Sequence, residues 1–122
     1  MELNETTNYL PYVLGRLFSV LENVQLQVNP RINTTITDRY FNSASATPAV
    51  VFPTLINLAQ KHLAKMNKGQ DIYFQKQISE LCGRITQTLP ARMSLSEQSA
   101  FQLGYYHETQ NRYKPKEEKN NV

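Results

Sequence analysis

Leu10, Leu14, Leu17, Leu21, Val24 and Val28 recur at alternating steps of three and four, and Val13, Phe18 and Val20 widen the stripe. This spacing predicts an amphipathic helix from about Asn8 to Val28. Pro11 falls in its first turn, where the missing N–H has no intrahelical partner to lose. Asn29-Pro30 ends the helix, because a residue before proline is pushed out of the right-handed helical region. Asn33, Thr34 and Thr35 offer capping side chains for a short second helix, roughly Thr35 to Ser43, with Ile36, Tyr40 and Phe41 as its apolar positions. The small polar run from Asn42 to Thr47 reads as a turn that lets two helices approach. Thr47-Pro48 opens a third helix, expected to run to about Asn67 with Phe52, Leu55, Ile56, Ala59, Leu63 and Met66 inward. Pro53 should bend it by removing a hydrogen bond, and Gly69 reads as its C-terminal cap.

Phe74, Ile78, Leu81, Ile85 and Leu89 anchor a fourth helix over Gln70 to Thr88, with Cys82 on the same apolar side. Ser94-Leu-Ser-Glu97 forms a capping box at the start of a fifth helix, Leu95 to about Tyr113. No stretch alternates with period two for long enough to predict a strand. The expected fold is an all-α, compact bundle of about five helices, one domain over residues 1–113 followed by a charged tail over 114–122.

Length changes the picture little: 122 residues suit one domain with a core of its own. The longest apolar run, around Ala49 to Phe52, is far short of the roughly 20 residues a membrane helix needs. The acidic start Met-Glu-Leu-Asn-Glu lacks the positive region of a signal peptide, so none is expected. Cys82 is the lone cysteine, unable to form an internal disulfide or a structural zinc site, which points to a reducing, cytoplasmic setting.

Charge says more. The formal net charge is +3. Residues 1–15 carry two acids and no base, and residues 93–122 balance at four against four. The excess lies between: nine bases against four acids over residues 16–92, a net +5. A folded basic surface in the middle of the chain suits an anionic partner.

Catalytic chemistry is thinly supplied. His62 and His107 stand alone outside any metal-ligand spacing, the carboxylates do not cluster, and the four glycines build no phosphate loop. Cys82, on an apolar helix face, reads as a small buried hydrophobe. No enzyme activity, cofactor or metal is expected. Binding is better supplied: Lys61, Lys65 and Lys68 stand at i, i+4 and i+7 along the expected third helix and its end, with no acid within a turn of Lys61 or Lys65. Lys76, Glu80 and Arg84 follow at steps of four, a pattern that surface ion pairs explain equally well. Asp38-Arg39-Tyr40-Phe41 sets a base beside two aromatics, which either hold a single strand by phosphate contact and stacking or belong to the core with Asp38 paired to Arg39. Arg16, near the apolar stripe, reads as structural. The residues alone give a small helical binding module whose partner is anionic or proteinaceous.

Tyr12-Val-Leu-Gly-Arg-Leu-Phe-Ser-Val-Leu-Glu22 and Asn33-Thr-Thr-Ile-Thr-Asp-Arg-Tyr-Phe41 run into Ser43-Ala-Ser-Ala-Thr-Pro48, and Val51-Phe-Pro53, Gln60-Lys-His-Leu63 and Leu103-Gly-Tyr-Tyr-His107 follow. From about Leu10 to Tyr113 these strings resemble the C-terminal helical region of the large subunit of type I-C (Dvulg subtype) CRISPR Cascade complexes. The large subunit is several times longer, and its portion that recognises the protospacer-adjacent motif has no counterpart here. A separate small subunit made by internal translation initiation fits this, as does an excised domain. The resemblance implies a non-catalytic, cytoplasmic prokaryotic protein that packs with backbone subunits, the large subunit and further copies of itself beside guide RNA. It implies stabilisation of the R-loop through target and non-target DNA strands. The residues expected to neutralise phosphate are Arg39, Lys61, Lys65, Lys68, Arg84 and Arg92, with Arg31 and Lys76 behind them. Tyr40, Phe101, Tyr105 and Tyr106 serve either subunit contacts or the core. A protein-only scaffold and a free-standing nucleic-acid chaperone are the competing readings.

Overall fold

A computed structural model describes residues 3–113. The expected tail over 114–122 lies outside the described residues. Five helices follow in order: α1 (Leu10–Val28), α2 (Ile36–Ala46), α3 (Pro48–Leu63), α4 (Lys68–Gly83) and α5 (Leu95–Arg112). No strand occurs among the described residues, so the expected all-α bundle is what the chain forms.

Helix α1 is the axis of the molecule. Every residue from Leu10 to Glu22 is buried, so α1 is covered all round and is not the one-sided helix its stripe predicts. The apolar side meets α2, α3 and α4, and the small and polar side meets α5. Gly15 and Gly104 make that second contact possible. A Cβ on Gly15 would stand 2.0 Å from the carbonyl oxygen of Phe101, and one on Gly104 would stand 2.1 Å from that of Tyr12. The two backbones therefore touch, with no side chain between them.

That approach brings polar side chains across the seam into hydrogen-bond range. Arg16 donates to the Glu108 carboxylate at 2.9 Å, with both groups buried. Ser19 and Thr109 share a hydroxyl bond of 2.7 Å, and the Arg112 guanidinium donates to the Ser19 carbonyl at 2.9 Å. The Tyr105 hydroxyl donates to Glu22 at 2.9 Å; burial first, and then the Glu22 charge, pushes that phenol's pKa up. Tyr12 Oη and His107 Nδ1 lie 2.7 Å apart, which makes His107 part of the fold and not a solvated side chain. Below the seam sits an aromatic cluster: Phe18 meets Phe41, Phe101, Phe52 and Tyr105 edge-on, with centroids 5.4 Å apart for the Phe41–Phe101 pair that closes it. Edge-on pairs of this kind add about 0.5–1.5 kcal/mol each beyond area burial.

Several boundaries differ from the sequence expectation, each for a local reason. Helix α2 continues through Asn42–Ala46, because the Ser43, Ser45 and Thr47 hydroxyls bond back to carbonyls three or four residues earlier instead of breaking the helix. Helix α3 runs through Pro53 and stops at Leu63. Asn67, not Gly69, marks the junction: its extended backbone (φ −66°, ψ 163°) and its side chain, which accepts from the Gln70 N–H at 2.8 Å, start α4. Gly69 lies inside α4's first turn. At the other end α4 stops at Gly83, and Ile85 and Leu89 reach the core from the connecting segment. Cys82, one position beyond buried Leu81, is exposed and not in the core. Packing around its sulfur nevertheless raises the thiol pKa, away from thiolate chemistry.

The glycines make a paired stability test. Gly104→Ala must separate two backbones, and it should cost about 3 kcal/mol or more, the upper end of overpacking penalties. Gly83, with nothing within 4 Å of its virtual Cβ and no positive φ, should gain about 0.5–1 kcal/mol as Gly83→Ala. Urea denaturation monitored by circular dichroism reads both.

Candidate nucleic-acid interface

The C-terminal half of α1, the start of α2 and the second half of α3 enclose a groove of about 590 Å³. Its position follows from two polar contacts that α1 makes with α2. Gln25, buried on α1, accepts a hydrogen bond from the Ile36 N–H at 2.8 Å, and Glu22 accepts one from the Thr37 hydroxyl. Both act on α2's first turn, which has no intrahelical acceptors for its N–H groups. Ile32, Ile36 and Leu58 supply the aliphatic part of the groove lining. Tyr40 makes an aromatic wall, and Thr54 and Asn57 add uncharged polar groups. Arg39 from α2 and Lys61 from α3 stand on the groove lining as exposed cations. No carboxylate lines it.

Arg39 is free because Asp38 is engaged elsewhere. The Asp38 carboxylate accepts from the Thr35 N–H at 2.9 Å and closes the capping box of α2, and the alternative of an Asp38–Arg39 pair is not what forms. The two aromatics that follow divide. Both are half-buried against the core, but Phe41 meets Phe18, Phe101 and Tyr105 ring to ring, whereas Tyr40, which also lines the groove, has no aromatic partner among the described residues.

The rest of the molecule's charges follow the same division. All six acids between residues 16 and 112 have an internal hydrogen-bond or ion-pair partner: Glu22 with Tyr105, Asp38 with the α2 cap, Asp71 with Gln75, Glu80 with Arg84, Glu97 with the α5 cap, and Glu108 with Arg16. Among the described cations, Arg16, Arg84 and Arg112 are the ones in ion pairs. Acids are thus consumed within the fold and cations are left at the surface.

The eight cations singled out from sequence do not form one patch. Arg39 and Lys61 share the groove, and Arg31, exposed, is not in its lining but precedes Ile32, which is. The lysine row is broken, because α3 ends before it completes: Lys65 lies in the turn after α3 and Lys68 is the first residue of α4. Lys76, also exposed, rides on α4, which packs on α1 and α3 and does not reach α2. Arg92 is exposed in the α4–α5 connection, whose Met93 N–H bonds the Ala46 carbonyl at the far end of α2. Arg84 is engaged in the fold: it donates to Glu80 at 2.6 Å, to the Thr6 carbonyl at 2.9 Å and to Asn8 at 3.2 Å, and so pins the N-terminal segment to α4. Thr54 and Asn57, not singled out from sequence, were readable there, since with Lys61 they repeat at i, i+3 and i+7 on the polar side of α3.

Helix α5 presents a second, different face. Its three carboxylate and guanidinium side chains are all turned to internal partners: Glu97 to the cap, Glu108 to Arg16 and Arg112 to Ser19. What remains exposed along it is Leu95, Ser96, Ser99, Gln102, Leu103, Tyr106 and Gln110, with no charge among them.

Residues 1–113 match the family model described as CRISPR-associated protein (Cas_Csd1). The chain belongs to that family. No curated protein matches the sequence. The Cas_Csd1 match covers all five helices, so the groove and the uncharged α5 face both lie within the family's matched region. No helix among the described residues of this CRISPR-associated chain is long and apolar enough to cross a membrane. No group of three or more His, Cys, Asp or Glu side chains that could hold a metal ion occurs among the described residues.

His62, next to Lys61, is the titratable group nearest the groove whose pKa moves. Burial of its ring, and then the Lys65 charge, hold it below its ordinary 6.5. Both ring nitrogens are buried without a hydrogen-bond partner. The folded chain therefore takes up this proton less readily than the unfolded one. Above about pH 7 the group is neutral in both states and contributes nothing to pH dependence. As pH falls through 6.5 the unfolded state is protonated first and stability is lost. His62→Gln should flatten that loss, read as a smaller drop in melting temperature between about pH 7.5 and pH 5.5 than the parent chain shows.

Proposed function

We propose that this CRISPR-associated chain is the small subunit of a type I-C Cascade complex, a cytoplasmic and non-catalytic protein that holds DNA backbone in an R-loop. The observation that carries the reading is the groove: two cations from different helices, in no ion pair among the described residues, share its lining with aliphatic side chains and Tyr40 and with no acid. The sequence resemblance to the helical region of the type I-C large subunit supplies the context, and the family match agrees with it at the level of CRISPR association.

The physical role follows from the balance of strand exchange. A guide–target heteroduplex is about as stable as the DNA duplex it replaces, so modest protein contacts to backbone phosphates tip the equilibrium. A net charge of +3 is small for a protein that binds nucleic acid alone. It is adequate for a subunit that contributes a few phosphate contacts while neighbouring copies contribute theirs, because tethered contacts multiply. Arg39 and Lys61 carry the groove contact in this reading, Arg31 extends it, and Lys65, Lys68, Lys76 and Arg92 add diffuse attraction. Arg84 does not belong to the contact set, since its guanidinium is used within the fold.

The uncharged α5 face supports the assembly half of the proposal. Interfaces between proteins are depleted in charge at their centres and enriched in tyrosine. Leu103 and Tyr106, 43% and 61% exposed, fit contact with a Cascade subunit better than contact with phosphate. A pure scaffold would use this face alone and leave the groove empty.

The two roles separate in a reconstituted complex. Arg39→Gln with Lys61→Gln should leave assembly intact, weaken target DNA binding, and reduce the slope of log affinity against log salt by about 1.4–1.8 for each copy in the complex, from roughly 0.7–0.9 per phosphate contact. An unchanged affinity and slope would leave the scaffold reading in its place.

A further inference from the structure

Phosphate neutralisation alone needs neither the volume of the groove nor the aliphatic side chains in its lining. Cations that only screen a backbone need stand on an open surface, as Lys76 and Arg92 do. Arg39 and Lys61 instead flank a cavity of about 590 Å³, in the range of small-ligand sites. Ile32, Ile36 and Leu58 gain nothing from a phosphate, and the Tyr40 ring, half-buried against the core, lines the groove with no aromatic partner among the described residues and is suited to a flat, apolar group. Thr54 and Asn57 supply hydroxyl and amide groups that can donate or accept at a polar edge. A ligand that is anionic at one end, planar and apolar at its body, and polar at its rim satisfies all of these at once.

We infer that the groove is a nucleotide pocket: it takes one unpaired nucleotide of a single strand, with its base against Tyr40 and its phosphate between Arg39 and Lys61. The inference rests on the DNA-holding role proposed above and adds to it that the base, and not only the backbone, is bound. Recognition by stacking is tolerant of base identity, because each base has a π-face. The pocket would therefore register whether a nucleotide is unpaired. A base engaged in a duplex is stacked between its neighbours and cannot present its face to Tyr40. The α2 wall is held in place for this by Gln25 and Glu22, whose bonds to Ile36 and Thr37 fix the helix that carries both Arg39 and Tyr40.

The test uses the full chain, labelled with ¹⁵N, titrated with a thymidine pentanucleotide and with an abasic pentamer of the same phosphate count. The thymidine oligomer should shift amide resonances over residues 34–40 and 54–61. The abasic oligomer should bind about five- to a hundredfold more weakly, the range that loss of one stacked base spans. Tyr40→Ala should bring the thymidine oligomer down to the abasic level, and Tyr40→Phe, which keeps the ring, should restore the difference. Equal affinity for the two oligomers, or no shift of the groove amides by either, overturns the nucleotide pocket. Equal affinities that both fall with Arg39→Gln and Lys61→Gln would overturn the pocket while leaving the phosphate contact standing.

Discussion

The backbones of α1 and α5 touch at Gly15 and Gly104, and most of the polar architecture depends on that contact. Only at this separation can Arg16 reach Glu108, Ser19 reach Thr109 and Arg112, and Glu22 reach Tyr105. Each bond satisfies a group that α1 would otherwise bury unpaired, at a cost of about 1–3 kcal/mol apiece and more for the charged ones. The seam also extends sideways. Glu22 accepts from Thr37 and, one turn on, Gln25 accepts from the Ile36 N–H, so the helix that α5 clamps in turn positions α2.

The distribution of surface charge is a consequence of this interior. Glu108 and Arg112 are drawn inward by the seam and Glu97 by its cap, which leaves the outer face of α5 without charge. Asp38 is drawn into the α2 cap, which leaves Arg39 unpaired beside the groove. A chain with a net charge of only +3 thereby acquires two surfaces of different character: a cation-lined groove between α1, α2 and α3, and an uncharged strip along α5. In the proposed function the first meets a strand of nucleic acid and the second meets protein.

Periodicity made the helices legible where buried residues fall at steps of three and four, as Phe74, Ile78 and Leu81 do in α4; α2 buries only Ile36, Ala44 and Ser45 and was legible mainly from its cap. Ser94 and Glu97 marked the start of α5 to the residue. The ends were harder because capping is a competition between neighbours: Asn67 and Gly69 both signal a boundary, and the side-chain bond to Gln70 decides for Asn67. Serine and threonine at 43, 45 and 47 similarly had two local options, turn or back-bonded helix. The candidate site was legible in its residue types but not in its grouping. A row of lysines at helical spacing has meaning only while one helix lasts, and α3 stops between Lys61 and Lys65. Pairing Arg39 with Lys61 across 22 positions is a tertiary fact, set by the packing of α2 on α3. Gly15 and Gly104, which looked scattered, are a pair for the same reason.

The central claim is that the groove faces nucleic acid while α5 faces protein. A photocrosslinking residue placed at Asn57, exposed in the groove, or at Gln102, exposed on α5, reads this directly in a reconstituted complex with target DNA bound. The account predicts a DNA adduct from position 57 and a subunit adduct from position 102. Protein adducts alone from position 57, with DNA captured from position 102 or from neither, would contradict it.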